Sequence, residues 1–112
     1  MVLVVLALVS GVSFLYYGFK VFLRTESAEE FERFGVPAVR RLVGVLEVAG
    51  GTAVILGLVV APLGAAAAAG LTTLMVLGVI VRIRIHDSPR LMVPAASLGA
   101  LNAVIVVLFL AQ

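Results

Sequence analysis

The fold is decided by residues 41–84, which read RLVGVLEVAGGTAVILGLVVAPLGAAAAAGLTTLMVLGVIVRIR. Two long apolar runs stand here on either side of Pro62 and Gly64. Each run is close to the roughly 20 residues that a helix needs to cross a bilayer core about 30 Å thick. Pro62 and Gly64 predict a turn too short for anything but an antiparallel hairpin. We therefore predict two adjacent transmembrane helices, at about 38–61 and 64–83.

Similar apolar runs lie on both sides of this hairpin. The first spans about 1–23 and has neither a basic segment before it nor a small-residue cleavage pattern after it, which predicts an anchor rather than a removed signal. The last spans about 91–111 and follows Ser88 and Pro89, which suit a helix start. Since 63% of the 112 residues are hydrophobic, 12% are charged and the mean hydropathy is +1.28, a water-soluble domain is excluded. The sequence predicts an all-α integral membrane four-helix bundle, with a single transmembrane domain over 1–112.

One polar stretch separates the first two helices. Ser27 and Glu30 stand three residues apart, as in a capping box, and predict a short helix over about 28–34. Phe31 and Phe34 are one helical turn apart among charged residues, which is typical of an interfacial helix in the headgroup region.

Basic residues flank only the first and third loops. The five at the first loop and the three at the third are Lys20, Arg24, Arg33, Arg40 and Arg41, and Arg82, Arg84 and Arg90. The positive-inside rule therefore predicts a multi-pass cell-membrane protein with these loops in the cytoplasm and both termini outside. Although the pI is near 9.7, the basic residues sit at helix ends rather than along one face. We therefore expect the lipid bilayer, and no nucleic acid, as a partner.

Glu47 is the most informative position of the chain. It lies six residues inside Arg41, hence about 9 Å deeper in the second helix. An ionised side chain at the membrane centre costs roughly 2.5 to 3.5 kcal/mol, so this carboxyl should hold a proton or face a cation. Gly44, Glu47 and Gly51 share one helix face, which predicts close packing against another helix. Glu47 is either a contact for a proton, ligand or quinone, or half of a buried pair that fixes packing.

The first helix offers candidate partners for this carboxyl. Ser10, Ser13, Tyr17 and Lys20 recur at helical spacing and predict a polar stripe inside the bundle. Tyr17 and Lys20 fall at about the depth from which they can meet Glu47, and Lys20 is the first choice.

Two further polar residues belong to the candidate buried site. Arg82, in the third helix, is the second candidate cation for Glu47, unless its side chain snorkels to the interface. Asn102 sits near the middle of the fourth helix, where an amide needs partners. It either ties that helix to the bundle or lines a cavity.

Three short elements follow one another in a recognisable order. They are FLYYGFK at 14–20, FGVP at 34–37 and GVLEVAGG at 44–51. In this order they resemble the DoxX-like membrane proteins, and the resemblance is clear over about half the chain.

The resemblance assigns places to particular residues. It implies that Gly18 and Lys20 close the first helix and that Gly44, Glu47 and Gly50 form the core of the second. It also implies that Phe31, Gly35 and Pro37 form the entry into the second helix. With the face of Gly44 and Gly51, the predicted helix-packing residues are Gly18, Gly44, Gly50 and Gly51.

The resemblance also suggests a role. The family takes its name from a membrane component of an archaeal thiosulfate:quinone oxidoreductase, actinobacterial members are linked to membrane oxidoreductase complexes, and distant animal relatives act in receptor assembly. It implies an accessory or assembly subunit of a membrane complex, with another membrane protein or a second copy as partner and a quinone as a possible cofactor. Because the chain has no cysteine and no evident metal or cofactor ligands, we do not expect catalysis by the chain itself.

Two alternatives stay open. Residues 46–52, LEVAGGT, resemble the glutamate-containing core of small proton-coupled multidrug transporters. That family places its glutamate in the first helix, whereas Glu47 lies in the second and the chain has no tryptophan. A purely structural membrane scaffold is the other alternative.

Overall fold

The protein is helical throughout the part of the chain that the computed structural model describes. The described residues are 1–23, 29, 32, 35, 40–86 and 88–111. Within them there are four long helices and no strand, which confirms the predicted all-α architecture. The helices are α1 (Val2–Leu23), α2 (Arg40–Leu56), α3 (Ala61–Arg84) and α4 (Pro89–Leu110).

Three of these helices contain segments long and apolar enough to cross a bilayer, namely residues 2–21, 61–84 and 92–110. The chain is therefore a small integral membrane protein. The remaining helix, α2, has 17 residues and measures about 25 Å. It packs lengthwise between α1 and α3, so it occupies the same depth as its neighbours.

Glycines bring α1 and α2 into backbone contact. A Cβ added to Gly18 would lie 2.5 Å from the Val48 side chain and 3.1 Å from the carbonyl oxygen of Gly44. A Cβ on Gly51 would lie 2.8 Å from the carbonyl oxygen of Gly11. Without such side chains, the two backbones approach closely and gain the van der Waals contact that holds helices together in lipid.

The connection between α2 and α3 comes earlier in the chain than predicted. The turn comprises residues 57–60, and Pro62 lies in the first turn of α3 rather than in the connection. Proline suits that place because the first turn of a helix has no partner for its amide groups anyway. The position that a Cβ of Gly57 would take is already filled by the backbone of Gly64, so the two helices meet directly beside the turn.

The turn itself is apolar and internally hydrogen-bonded. Its sequence, GLVV, has no polar side chain. All four of its amide groups donate to carbonyl oxygens of residues 53, 55 and 56, at 2.9 to 3.1 Å. The amide donors of the turn are therefore satisfied within the chain.

The bundle has two different ends. The terminal end contains the turn 57–60, the start of α1 and the end of α4. The basic end contains the opposite helix ends, with Lys20, Arg41, Arg84 and Arg90. Most of the buried apolar side chains lie toward the terminal end and at mid-depth; they are Ala7, Phe14, Val54, Ala68, Leu71, Ile105 and Phe109.

The connections at the basic end are described in part. Between α3 and α4, His86 has a positive φ of 56°, and Pro89 opens α4 as predicted. Most of the predicted interfacial helix at 28–34 lies outside the described residues. Of that segment only Glu29 and Glu32 are described, and both are helical. Gly35 has a φ of 81°, and its amide donates to the carbonyl of Glu32 at 3.0 Å.

Candidate functional site

Glu47 lies inside the bundle. Its residue surface is 6% exposed. On α2 it stands between two sets of contacts: Gly44 and Gly51 face α1, whereas Gly50 faces Leu71 of α3. At 100° per residue, these positions direct Glu47 toward the bundle axis, between α1 and α3.

The α2–α3 contact next to Glu47 is tight. A Cβ on Gly50 would lie 2.6 Å from the Leu71 side chain, which is 2% exposed. Gly50 is one helical turn from Glu47 on the terminal side, so Leu71 closes the space above the carboxyl in that direction.

Beyond Leu71, toward the basic end, the same side of α3 is open. Gly78 follows Leu71 by seven residues, which places it within about 20° of the same direction on the helix. A Cβ built on Gly78 meets no atom within 4 Å. Within α3 the buried residues are Gly64, Ala68 and Leu71, and none lies further along. The buried part of α3 therefore ends at Leu71, and Glu47 of α2 lies one helical turn from the Gly50 that Leu71 contacts.

The predicted partners of Glu47 lie on α1 and α3. The Nζ of Lys20 lies 5.7 Å from the centre of the Tyr17 ring, a cation–π arrangement. Tyr17, Lys20 and Arg82 are all half-buried. Among the described residues, no hydrogen bond or ion pair joins any of them to Glu47. A Glu47–Lys20 pair stays a prediction.

Asn102 ties α4 to α1. The hydroxyl of Ser10 donates to the Asn102 side-chain oxygen at 3.0 Å, and the Asn102 amide donates to the carbonyl of Leu98 at 2.9 Å. Ser10 and Asn102 are both fully buried. Of the two interpretations of Asn102, the structure therefore shows the tie between helices. Ser13, the next residue of the predicted stripe, donates to the carbonyl of Val9 in its own helix.

The sequence analysis missed three packing glycines. Gly11, Gly57 and Gly64 all lie at positions where an added Cβ would overlap a neighbour. Spacing was the available signal, because Gly11 and Gly18, like Gly50 and Gly57, stand seven residues apart and so return to nearly the same helix face.

A concavity lies between α3 and α4. It is an apolar groove of about 370 Å³ between α3 and α4. Met75, Val76 and Val79 line one wall, and Ala96, Ala100 and Ala103 line the other. The Thr72 hydroxyl at its edge already donates to the carbonyl of Ala68 at 2.8 Å. The groove presents no charged group to a ligand, and in a membrane it would face lipid tails.

Metal chemistry has no visible ligand set in the described part of the chain. No group of three or more His, Asp or Glu side chains comes together there. The single histidine, His86, is exposed at the basic end.

Comparison with known proteins places the chain in a family. The model of the DoxX-like family matches residues 1–109. No curated protein and no solved structure matches the chain. Because the family model spans nearly the whole sequence, the chain belongs to the DoxX-like family.

Proposed function

We propose that this DoxX-like protein is an accessory or assembly subunit of a membrane complex, and that it contacts its partner through the exposed face of α3. One observation carries the proposal. Gly70 is exposed in the middle of α3, and a Cβ built there meets no atom within 4 Å. Nothing inside this bundle requires a glycine at that place.

The surroundings of Gly70 favour a helix as the missing neighbour. Ala66, Ala69 and Thr73 are exposed on the same side of α3, so the face has little side-chain bulk. The Thr73 hydroxyl donates to the carbonyl of Ala69 at 3.0 Å and needs no other partner. Faces of small residues permit close approach between membrane helices. A glycine inside a helix costs about 1 kcal/mol relative to alanine, and contact with a partner would offset that cost.

A matched pair of variants tests this proposal. The protein is purified from its own membranes in mild detergent as wild type, Gly70→Leu and Ala49→Leu. Ala49 is exposed on α2 and serves as the control. We expect one membrane protein to co-purify in fixed ratio with wild type and Ala49→Leu and to be lost with Gly70→Leu.

Other outcomes favour other functions. A partner that is retained by all three forms would contradict α3 as the docking face. If no protein co-purifies, the result favours a structural scaffold or a transporter over an accessory subunit. Substrate uptake into vesicles, driven by a proton gradient, would then identify the transporter. A quinone bound to the purified complex would link the protein to an oxidoreductase, as the family resemblance implies.

We also propose that both termini lie outside the cell and that the basic end faces the cytoplasm. The distribution of Lys and Arg supports this orientation. The chain has no cysteine, so single cysteines can be added at either terminus without background labelling. We expect a membrane-impermeant thiol reagent to label both in intact cells. Labelling of the termini only after lysis would indicate the opposite orientation, with both termini in the cytoplasm.

A further inference from the structure

The groove between α3 and α4 has the dimensions of a hydrocarbon chain. It runs from Thr72 to Ile80 along α3, a distance of about 12 Å. Spread over that length, its volume of about 370 Å³ corresponds to a cross-section of about 30 Å². A helix with its side chains is about 10 Å across and needs about 80 Å². The groove therefore fits a single hydrocarbon chain better than a neighbouring helix.

The groove offers an occupant apolar contact and little else. A Cβ added to Gly99 would lie 3.2 Å from the Cβ of Met75, so α3 and α4 touch along the groove and close its floor. Of the described residues that line it, Thr72 alone carries a hydroxyl, and that hydroxyl already donates to the carbonyl of Ala68. A hydrocarbon chain therefore matches the chemistry of the walls as well as their spacing.

An arginine stands at the basic end of the groove. Val76, Ile80 and Arg84 follow one another at intervals of four residues, so they form one row along the surface of α3. All three are exposed, and Arg84 lies about 6 Å beyond Ile80 along the helix axis. Residues 82–90 carry three arginines and one aspartate, so this end of the hairpin has a net positive charge. A chain in the groove therefore ends beside a guanidinium group.

The other two arginines of this end are placed differently. Arg90 is exposed, but it lies more than 100° around α4 from both Ala95 and Ala96 of the groove wall. Arg82 is half-buried and already has an interaction within the chain. Among these three, Arg84 is the one in line with the exposed wall of the groove.

We propose that the groove binds one acyl chain of an anionic phospholipid, with the phosphate headgroup of that lipid at Arg84. The bilayer around α3 and α4 supplies the hydrocarbon chains, and the arginine selects among headgroups by charge. Basic pockets between transmembrane helices recognise anionic headgroups in this way. This inference goes beyond the accessory role, because the ligand is a lipid and Gly70, on the proposed partner face, does not line the groove.

Native mass spectrometry of the purified full chain in a nonionic detergent tests the proposal, since it counts the lipids bound to each protein. The probes are phosphatidylglycerol, whose headgroup is negatively charged, and phosphatidylcholine with the same acyl chains, which has no net charge. We expect one phosphatidylglycerol to bind about fivefold more tightly than phosphatidylcholine, the effect of one arginine near the headgroup. Glycerol phosphate in excess should not displace it, because the acyl chain contributes to binding.

Two matched pairs of variants locate the two parts of the lipid. Arg84→Gln should make the two lipids bind equally, whereas Arg90→Gln should keep the preference. Ala100→Phe fills the groove and should weaken binding of both lipids about tenfold or more. Val104→Phe, on the exposed surface of α4 outside the groove, should bind them like wild type. Ala96→Leu replaces Ala100→Phe if that variant does not fold, and about a threefold loss is then expected.

Several results would overturn the proposal. Equal affinity for the two lipids in wild type, or an equal loss of preference in Arg84→Gln and Arg90→Gln, would show that Arg84 does not select the headgroup. Unchanged binding in the groove variant would place the lipid elsewhere, and displacement by glycerol phosphate would indicate a site for free phosphate. The absence of saturable binding would remove the site altogether.

The lipid test and the partner test are independent. No partner protein is present in the lipid assay, so failure there leaves the proposed accessory role standing. Gly70→Leu should bind phosphatidylglycerol like wild type, so loss of the partner in that variant leaves the lipid site standing.

Discussion

The terminal end and the basic end of this bundle are built from similar apolar helices but packed differently. At the terminal end, Gly57 meets the backbone of Gly64, and the Phe109 ring fills the space beside Gly64. Slightly deeper, the Ser10–Asn102 hydrogen bond joins α1 to α4. At the basic end, the corresponding side of α3 at Gly78 has no neighbour. At the terminal end small residues therefore allow close packing, whereas at the basic end the small residue Gly78 has no atom packed against it.

This difference shows that a glycine in a membrane helix does not by itself indicate close packing against a neighbour. Gly64 and Gly78 both belong to α3 and lie within about 40° of each other around its axis. The first is required because a ring occupies its side-chain position. The second is surrounded by open space. The neighbour, and not the residue type, decides between close packing and open space.

Closing the space at Gly64 is expected to have the largest effect. A Cβ there would lie 2.5 to 2.7 Å from three carbons of the Phe109 ring. Gly64→Leu should therefore lower the free energy of unfolding by about 3 kcal/mol, the upper range for overpacking. Thermal unfolding in detergent measures the loss, with Gly70→Leu as the control in the same helix. Equal stability of the two variants would show that the terminal end is no tighter than a lipid-facing surface.

The hydrogen bond between α1 and α4 should contribute less. In a double-mutant cycle with Ser10→Ala and Asn102→Leu, we expect a coupling free energy of about 1 kcal/mol, as found for buried hydrogen bonds between membrane helices. Unfolding in a denaturing detergent gives the four stabilities. Strictly additive losses would mean that the tie contributes nothing at this depth, and the terminal end would then depend on small-residue packing alone.

A methyl group at either open glycine should stabilise the protein slightly. Gly70→Ala and Gly78→Ala each replace the least favourable ordinary helix residue without meeting a neighbour, so a gain of about 0.5 to 1 kcal/mol is expected. The same unfolding assay applies, with Gly51→Ala as the contrasting control, because Gly51 would contact the Gly11 carbonyl. A loss of stability in Gly78→Ala would show that a neighbouring residue packs against Gly78 at the basic end.

The smallest effect is expected at Glu47. A Glu47 carboxyl that holds a proton inside the bundle is close to glutamine in shape and charge, so Glu47→Gln should change the free energy of unfolding by less than about 0.5 kcal/mol. Lys20→Met should add to it independently. If the double variant instead recovers stability that each single variant loses, Glu47 and Lys20 form the predicted buried pair. The basic end is then held together by a polar contact, as the terminal end is by the Ser10–Asn102 hydrogen bond.

Much of the fold was readable from composition and spacing. Apolar run length predicts four helices, and the shared face of Gly44 and Gly51 predicts a tight contact that the structure places against α1. The turn was misplaced because Pro62 is compatible with a connection and equally with the first turn of a helix. Only the tertiary contact between Gly57 and Gly64 decides between the two positions.

The candidate site was less predictable. Periodicity indicates that Glu47 faces inward, but it carries no information on which α3 side chain packs beside it, because that depends on how bulky side chains such as Leu71 set the separation of the helices. The same limit applies to Lys20. Its spacing permits a contact with Glu47, whereas in the structure its ammonium lies beside Tyr17.

The apolar turn at residues 57–60 has a consequence for the thickness of the surrounding membrane. The helix α2 covers about 25 Å, which is short of a typical hydrocarbon core of about 30 Å. The turn extends the apolar surface with leucine and valine side chains, and Val59 at its tip is 87% exposed. These side chains can therefore reach into the edge of a thicker hydrocarbon core, while a thinner one leaves them at its surface, so this hairpin tolerates some hydrophobic mismatch from its turn side.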